Sequence, residues 1–176
     1  MNNDLEKERE KYQNIGLFKK PSKKLIFSLD LMDNEIILIN LKVFPTLGIH
    51  KNEKREPTAK NLILTNKRII FFSLGWVMKF NESISYDEIV QISVNKKWLI
   101  SADFPVIIIK TETNAYQIFL LGLSFKKKLR KIDGIINCIK IRNPNIDIQM
   151  EITREEDNFV KEVLDTEVKF ENPFKH

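Results

Sequence analysis

The sequence predicts a mainly β domain with helices. We expect seven strands in an antiparallel, partly open barrel, which a C-terminal amphipathic helix caps, with helical extensions at both ends. Two observations lead to this expectation. Short segments rich in Ile, Val, Phe and Tyr follow one another through the middle of the 176-residue chain, separated by turn residues, as in consecutive hairpins. One long stretch with apolar residues at helical spacing comes after them.

The clearest hairpin lies at residues 61–73, NLILTNKRIIFFS. Branched and aromatic residues favour a pleated, half-buried surface, and Asn66 tolerates the left-handed backbone of a tight turn. The second run, residues 69–72, is apolar at every position. We therefore expect a central strand that is covered on both faces.

The residues before this hairpin supply an arm, a helix and a strand. Residues 4–13 alternate acidic and basic side chains with little apolar surface, which predicts a frayed helix or a disordered arm. A helix is expected from Pro21 to about Asp33, with one apolar stripe formed by Leu25, Ile26, Leu29 and Met32. Residues 35–44, EIILINLKVF, predict the first strong strand, and a polar loop at 50–60 precedes the hairpin.

Four more strands are predicted after the hairpin. Residues 83–96 indicate two strands joined by a corner of two adjacent acidic residues. A loop is expected at 98–103. The run PVIIIK at 105–110 predicts a strand that starts at its proline, where a missing N–H is tolerated. Residues 115–121 predict the last strand, after a two-residue turn.

An amphipathic helix is predicted from Ser124, its N-cap, to about Arg142. Its apolar residues recur at spacings of three and four and share one face, namely Phe125, Leu129, Ile132, Ile136 and Ile139. An Asn-Pro pair ends the helix. Cys138 borders the apolar face, where we expect a small buried side chain rather than a reactive thiol. A capping-box pattern at 153–156 predicts a further short helix.

These elements divide the chain into a charged arm at 1–20, a domain with its leading helix at 21–143 and an acidic extension at 144–176. The net charge of +5 conceals an uneven distribution. Residues 14–146 carry 22 basic and 11 acidic side chains, whereas residues 147–176 carry 4 basic and 9 acidic ones. Such a distribution predicts a tail that screens the body, or a body that meets an anionic partner. A solvated surface is the alternative.

The sequence excludes several classes of protein by what it lacks. It has no apolar stretch of the roughly 20 residues that a membrane-spanning helix needs. Its charged first residues lack the apolar core of a signal peptide, so we expect a cytoplasmic location. A single cysteine and two histidines offer too few ligands for zinc, and no nucleotide-binding or hydrolase motif occurs. We expect no metal, no cofactor and no enzymatic activity. The catalytic alternatives are a Cys138–His50 pair and the Asp87–Glu88 carboxylates.

Three segments in combination resemble the bacterial pleckstrin-homology-like (PH-like) domains, including the YokE-like and GRAM-like groups. They are EII at 35–37, LTNKRIIFF at 64–72 and ISYDEIVQISV at 84–94. The FPVIIIKT and YQIFL runs and the late helix complete the pattern, over roughly residues 25–141. The resemblance implies a partly open barrel in two near-orthogonal sheets and a generally non-catalytic adaptor. The arm after Pro144 lies outside the resemblance.

Two basic clusters are the candidate sites for an anion or a partner. The loop cluster is Lys51, Lys54, Arg55 and Lys60, and the helix cluster is Lys126, Lys127, Lys128, Arg130 and Lys131. Positive charge at the start of a helix opposes the helix dipole, which indicates that an acidic group docks there. A solvated face is the alternative. The basic signature with which PH domains hold lipid phosphates is matched by Lys42 alone, since residues 62–64 supply no basic pair.

We therefore expect a non-catalytic PH-like interaction domain that binds a protein partner, with self-association to a homo-oligomer as one version. Sheet edges and the groove beside the last helix offer strand addition or helix docking. The alternative is peripheral binding to an anionic membrane through the two basic clusters. Nucleic-acid binding is the weaker alternative, because no aromatic stacking pattern is interleaved with the basic residues.

Overall fold

The computed structural model describes residues 2–43, 48–52, 59–74, 79–99, 102–120 and 125–151. The helices are α1 (Asn2–Asn14), α2 (Lys23–Ser28) and α3 (Phe125–Arg142). The strands are β1 (Ile37–Lys42), β2 (Ile49–Lys51), β3 (Asn61–Thr65), β4 (Arg68–Leu74), β5 (Lys79–Ser85), β6 (Ile89–Leu99), β7 (Ala102–Thr111), β8 (Ala115–Phe119) and β9 (Asp147–Glu151). A 3-10 turn, Tyr86–Glu88, joins β5 to β6.

The strands form two sheets, which do not close into a barrel. The first has the order β1-β3-β4-β5 and is antiparallel throughout. The second has the order β2-β8-β7-β6-β9, in which β9 alone runs parallel to its neighbour. The mainly β fold is confirmed. Two strands of the described residues were not expected, because β2 lies in the predicted polar loop and β9 in the predicted acidic extension.

The central hairpin is confirmed. β3 and β4 pair from Asn61↔Phe72 to Leu64↔Ile69, and the two residues Asn66 and Lys67 separate the end of β3 from the start of β4. Residues 69–72 of β4 are buried on both faces, as the sequence predicted. Ile69 and Phe71 belong to the main core between the sheets and α3. Ile70 and Phe72 belong to a second cluster on the other face of this sheet, together with Leu29, which follows α2.

The β6–β7 connection differs from the prediction. A loop was expected at 98–103, but β6 continues to Leu99 and β7 begins at Ala102, while residues 100 and 101 lie outside the described residues. Pro105 therefore does not start its strand but is the fourth residue of β7. The β7–β8 ladder begins one residue later, at Val106↔Phe119. Pro105 thus lies outside that ladder, and its missing N–H costs no bond to β8.

Of the two expectations for the N-terminal arm, the helix is confirmed, and this helix packs against the domain. Residues 2–14 form α1, and Tyr12 and Leu17 are buried in the main core. Phe18 pairs with Asn40, so the segment after α1 lies along the edge of β1. The sequence did not predict this packing, because the contacts that hold α1 come from elements distant in the sequence, which local periodicity does not reveal.

The leading helix is shorter than expected. α2 covers six residues, and Asp30 and Asn34 adopt positive φ angles of 46° and 58°, which a continuing helix does not allow. The predicted stripe is only half correct. Leu29 is buried, whereas Ile26 and Met32 are exposed.

The late helix is confirmed, and Leu129, Ile132, Ile136 and Ile139 of its predicted face pack into the main core. The side chain of Phe125 lies outside the described residues. Ile135 and Cys138 join that face, and Cys138 is fully buried, as expected. Gly134 allows a close approach of α3 to the segment after α1. A Cβ atom at residue 134 would lie 2.5 Å from Cδ1 of Leu17.

Some expectations fall outside the described residues. They are the N-cap at Ser124 and the short helix that begins at 153. The division at residues 20 and 143 stays a prediction, although β9 places part of the third segment in the second sheet.

Candidate functional site

The residues that carry the PH-like resemblance bind to one another. The carboxylate of Glu35 is buried just before β1, and Arg68, at the start of β4, donates to it from Nε (2.9 Å) and Nη2 (3.1 Å). Thr65 Oγ1 and the backbone N–H of Met32 also donate to Glu35, at 2.7 and 2.8 Å. Burial would raise the pKa of Glu35, but the bonds from Arg68, Met32 and Thr65 outweigh it, so the pKa is lowered.

The turn between β3 and β4 extends this clamp. Asn66 Oδ1 accepts the backbone N–H of Ile36 at 2.7 Å, and its Nδ2 donates to the carbonyl of Asn34 at 3.1 Å. Lys67 Nζ donates to the carbonyl of Asp33 at 2.7 Å. The LTNKR motif is therefore occupied in holding the loop before β1, and its polar groups serve the fold.

A second polar cluster joins α1 to α3. Arg142 donates to both carboxylate oxygens of Glu8 at 3.0 and 2.9 Å, and its guanidinium lies 5.6 Å from the ring centroid of Tyr86. Tyr12 donates to Glu8 at 2.9 Å. Burial would lower the pKa of Arg142, but the hydrogen bonds that it donates to Glu8 outweigh burial, and the pKa is raised. This cluster keeps charges paired inside the protein and fixes α1.

Three residues of the catalytic alternatives, Cys138, His50 and Glu88, make other contacts. Burial raises the pKa of the Cys138 thiol to about 11, and its sulfur contacts Arg142, at 3.4 Å. The His50 ring packs edge-on against Phe119. Glu88 accepts the backbone N–H of Ser85, so it caps the corner after β5. Within the described ranges no three His, Cys, Asp or Glu side chains are placed to hold a metal ion.

The loop cluster is only partly available for a partner. Lys51 Nζ lies 2.6 Å from Glu82 Oε1 on β5, and Tyr116 donates to the same oxygen at 2.6 Å. Lys60 is exposed, at a bend before β3. Lys54 and Arg55 lie outside the described residues. The structure therefore places Lys51 in an ion pair rather than at an open anion site.

The helix cluster divides by burial. Lys126, Lys127 and Arg130 are exposed on the first turns of α3. Lys128 is buried, Lys131 is half-buried, and burial lowers the pKa of both. Since the opposite face of α3 is fixed in the core, the three exposed cations form a stable basic surface.

Sequence reasoning missed a cleft beside α2. The cleft has a volume of about 540 Å³ and lies between α1, α2 and β1. It is lined by two cations and several apolar side chains, among them Arg9, Lys20, Phe18, Ile26, Leu31 and Ile36. Next to it, Phe27 on α2 is 92% exposed. No sequence pattern indicates the cleft, but Lys23 and Lys24 precede Phe27 by one helical turn and mark this side of α2 as basic.

A family model described as "Bacterial PH domain" matches residues 31–158. The chain belongs to this family. Among solved structures, this bacterial PH domain is similar to a "Vps36 N-terminal PH domain", with 14% identity and a TM-score of 0.45, over 63% of this chain and 84% of that one. No curated protein sequence matches the chain.

The match confirms the expected family and corrects its extent. The resemblance was placed at residues 25–141, but the family model continues to residue 158 and includes β9. Placement in the YokE-like or GRAM-like groups stays a prediction. PH domains generally lack catalytic activity and commonly mediate interactions with proteins or lipids. In the part of this PH domain that the structure describes, no helix is long and apolar enough to cross a bilayer.

Proposed function

We propose that this bacterial PH domain is a non-catalytic adaptor that binds a protein partner by strand addition at the outer edge of β9. The observation that carries the proposal is the asymmetry of the sheet edges. The outer edge of β1 is partly covered, because Phe18 forms a β-bridge with Asn40 there. The outer edge of β2 is partly covered by a β-bridge between Ile49 and Ala59. No strand of the described ranges lies beyond β5 or β9.

β9 suits strand addition better than β5. It is short and half-exposed, with Gln149 exposed and Met150 37% exposed. Its backbone is held by five parallel pairs with β6, and Gln91 donates to Asp147 at 3.0 Å. An edge strand with an exposed apolar side chain such as Met150 offers both backbone bonds and a side-chain contact to a partner strand.

In this proposal the basic surface on α3 binds acidic groups, either of the protein that adds a strand to β9 or of a second protein partner. Lys126, Lys127 and Arg130 are exposed there, on a helix that its apolar face holds in place. Charged residues around an interface raise the association rate and exclude wrong partners more than they add affinity. We therefore expect this surface to select acidic partners.

The alternative, anionic lipid bound through both basic clusters, has less support. It requires Lys51, which is paired with Glu82 at 2.6 Å, and Lys128, which is buried. Displacing Lys51 from Glu82 would leave a partly buried carboxylate without its ion pair, at a cost in free energy. The ion pair of Lys51 and the burial of Lys128 also weaken the case for nucleic-acid binding through these clusters.

A capture experiment tests the role of β9. Tagged wild-type protein, Met150→Lys and Ile141→Lys are compared for proteins retained from a bacterial lysate. Both substitutions place a lysine at an exposed apolar position, but Ile141 lies on α3 and is 66% exposed. The proposal predicts a partner that wild type and Ile141→Lys retain and Met150→Lys loses. Equal capture by all three proteins contradicts it.

Self-association is tested by light scattering on the full chain and on a chain truncated after Glu151. A truncation at the predicted domain boundary, before Pro144, is unsuitable because it would remove β9 from the second sheet. A dimer mass that the truncation reduces to a monomer mass supports an interaction made by the acidic residues after β9. Identical monomer masses rule out the homo-oligomer version and leave a different protein as the partner.

A further inference from the structure

We propose that α2 carries a membrane-docking surface, with Phe27 inserted into an anionic lipid bilayer and lysines at its headgroups. We define the α2 surface as Lys20, Lys23, Lys24, Ile26 and Phe27. It is separate from the strand edge and from the basic clusters described above, and the inference does not depend on the proposed protein partner.

The packing of α2 fixes which side faces outward. Ser22 caps the helix by accepting the backbone N–H of Leu25 at 3.2 Å. Leu25 and Leu29 pack against Ile70 and Phe72 on the outer face of the first sheet. Because these two leucines are four residues apart, they lie on one side of the helix. Phe27, two residues from each, is directed away from the sheet.

The exposure of Phe27 is unusual for its residue type. It is 92% exposed, although a folded protein normally buries most of a phenylalanine ring. Lys24 and Lys23 precede it by three and four residues, so on a helix their side chains are its neighbours. Both lysines are exposed. An aromatic ring flanked by two cations is chemically complementary to an apolar bilayer interior beneath anionic headgroups.

The surface continues to the mouth of the cleft. Ile26 is 44% exposed and lines the cleft together with Lys20, which is exposed. Lysine can lie along an apolar surface with its charge at the polar interface, so Lys20 extends the same arrangement.

The nearest carboxylates do not reverse the charge of this surface. Asp30 and Asp33 follow α2 and are exposed. Arg68 donates to the carbonyl of Asp30 at 2.9 Å, and Lys67 donates to that of Asp33 at 2.7 Å. The two exposed carboxylates of Asp30 and Asp33 are outnumbered by the three lysines of the α2 surface, so the surface keeps a net positive charge.

The position of α2 in the chain also matters. The family match begins at residue 31, so α2 precedes it. The α2 surface is thus a feature of this chain that the family match does not supply.

Vesicle co-sedimentation tests the proposal. Full-length protein is mixed with phosphatidylcholine vesicles, with or without 30% phosphatidylserine, at low and high salt. We expect at least tenfold stronger partitioning onto the anionic vesicles at low salt, because lysines gain attraction to an anionic surface that salt screens. Phe27→Ser should weaken it about tenfold, and the matched variant Ile141→Ser should stay within twofold of wild type.

A charge-matched pair separates the α2 surface from the α3 surface. Lys23→Glu/Lys24→Glu and Lys126→Glu/Lys127→Glu change the net charge by the same amount. We expect the first pair to weaken partitioning at least tenfold and the second to stay within threefold. Equal loss in both variants, or loss only in the α3 variant, overturns the proposal. So does equal partitioning of wild type onto neutral and anionic vesicles.

A fluorescent label tests insertion directly. Because Cys138 is fully buried, a cysteine introduced by Phe27→Cys or by Ile141→Cys can be labelled selectively with an environment-sensitive dye. Anionic vesicles should raise and blue-shift the emission at residue 27 and leave residue 141 unchanged. Unchanged emission at residue 27 overturns the proposal. A second outcome also overturns the proposal. In it, vesicles have no effect on the protein, and light scattering shows that Phe27→Ser lowers the mass of the wild-type assembly. The α2 surface would then be an interface between copies of the chain.

Discussion

Replacing Arg68 by methionine should destabilise the protein strongly, because it leaves a buried carboxylate without its cation. The side chain of Glu35 is 0% exposed and that of Arg68 is 16% exposed. Methionine retains the apolar stem and removes the two hydrogen bonds to Glu35, the bond to the Asp30 carbonyl and an exposed bond to Ser83 Oγ. The perturbation therefore removes polar partners with little change in packing.

The magnitude follows from what remains around Glu35. Removing one partner of a buried ion pair costs about 3–5 kcal/mol. Thr65 Oγ1 and the Met32 N–H still donate to the carboxylate, so we expect the lower end, about 3 kcal/mol of the free energy of unfolding. For a chain of this length that corresponds to a fall in Tm of about 6–12 °C.

The loss should also depend on pH. In the wild type the pKa of Glu35 lies below its ordinary value of 4.5, so its stabilising contribution is complete above that value and is lost as the pH falls through the lowered pKa. In Arg68→Met burial dominates and the pKa of Glu35 rises. The folded variant then takes up a proton as the pH falls, which relieves the cost of the buried charge. The difference between the two proteins should shrink from pH 7 to pH 4.

Urea unfolding followed by circular dichroism at pH 7 and pH 4 measures both effects. Lys67→Met is the matched control, since Lys67 donates to one exposed carbonyl, and it should cost less than about 1 kcal/mol. A loss below about 1 kcal/mol in Arg68→Met at pH 7 would refute the argument. A loss that is equally large at pH 4 would refute the role of the carboxylate charge.

Two further predictions concern α3. Gly134→Ala should lower the free energy of unfolding by about 1 kcal/mol. The new Cβ atom would lie 2.5 Å from Leu17 Cδ1, and the cost of repacking exceeds the gain in helix propensity. An unchanged Tm would show that Leu17 can move aside. Cys138 should not react with a thiol reagent at pH 8 in the native protein, since burial raises its pKa to about 11, and should react fully in urea. Rapid labelling of the native protein would contradict the buried position of the thiol.

The strands that were predicted correctly share one property. In β3, β4 and β8 the apolar pattern and the turn residues agree, so local chemistry alone specifies where each strand starts and pairs. The PH-like resemblance rested on the same residues, and the clamp between Glu35 and Arg68 explains why those residue types occur together. A buried acid needs a partner, and the motif contains it.

The elements that were missed depend on contacts between distant segments. β2 and β9 are short and contain polar residues, and each exists because a longer strand offers it a free edge. α1 has little apolar surface of its own, and it is held by the ion pair between Glu8 and Arg142, 134 residues apart. No local pattern reveals such partners.

The candidate sites show the same division. The sequence identified which residues are basic, but burial decided that Lys128 is inaccessible, and an ion pair decided that Lys51 is occupied. It placed Leu29 and Ile26 in one stripe, whereas packing against the first sheet buries the former and exposes the latter beside Phe27.

The sequence by itself determined the family, the central hairpin and the face of α3 that enters the core. Each of these follows from side-chain chemistry that repeats over a few neighbouring residues. Only the tertiary structure decided which edges stay open, which lysines remain exposed and where an aromatic ring is left in solvent. Those properties depend on what segments far apart in the chain cover when they pack together.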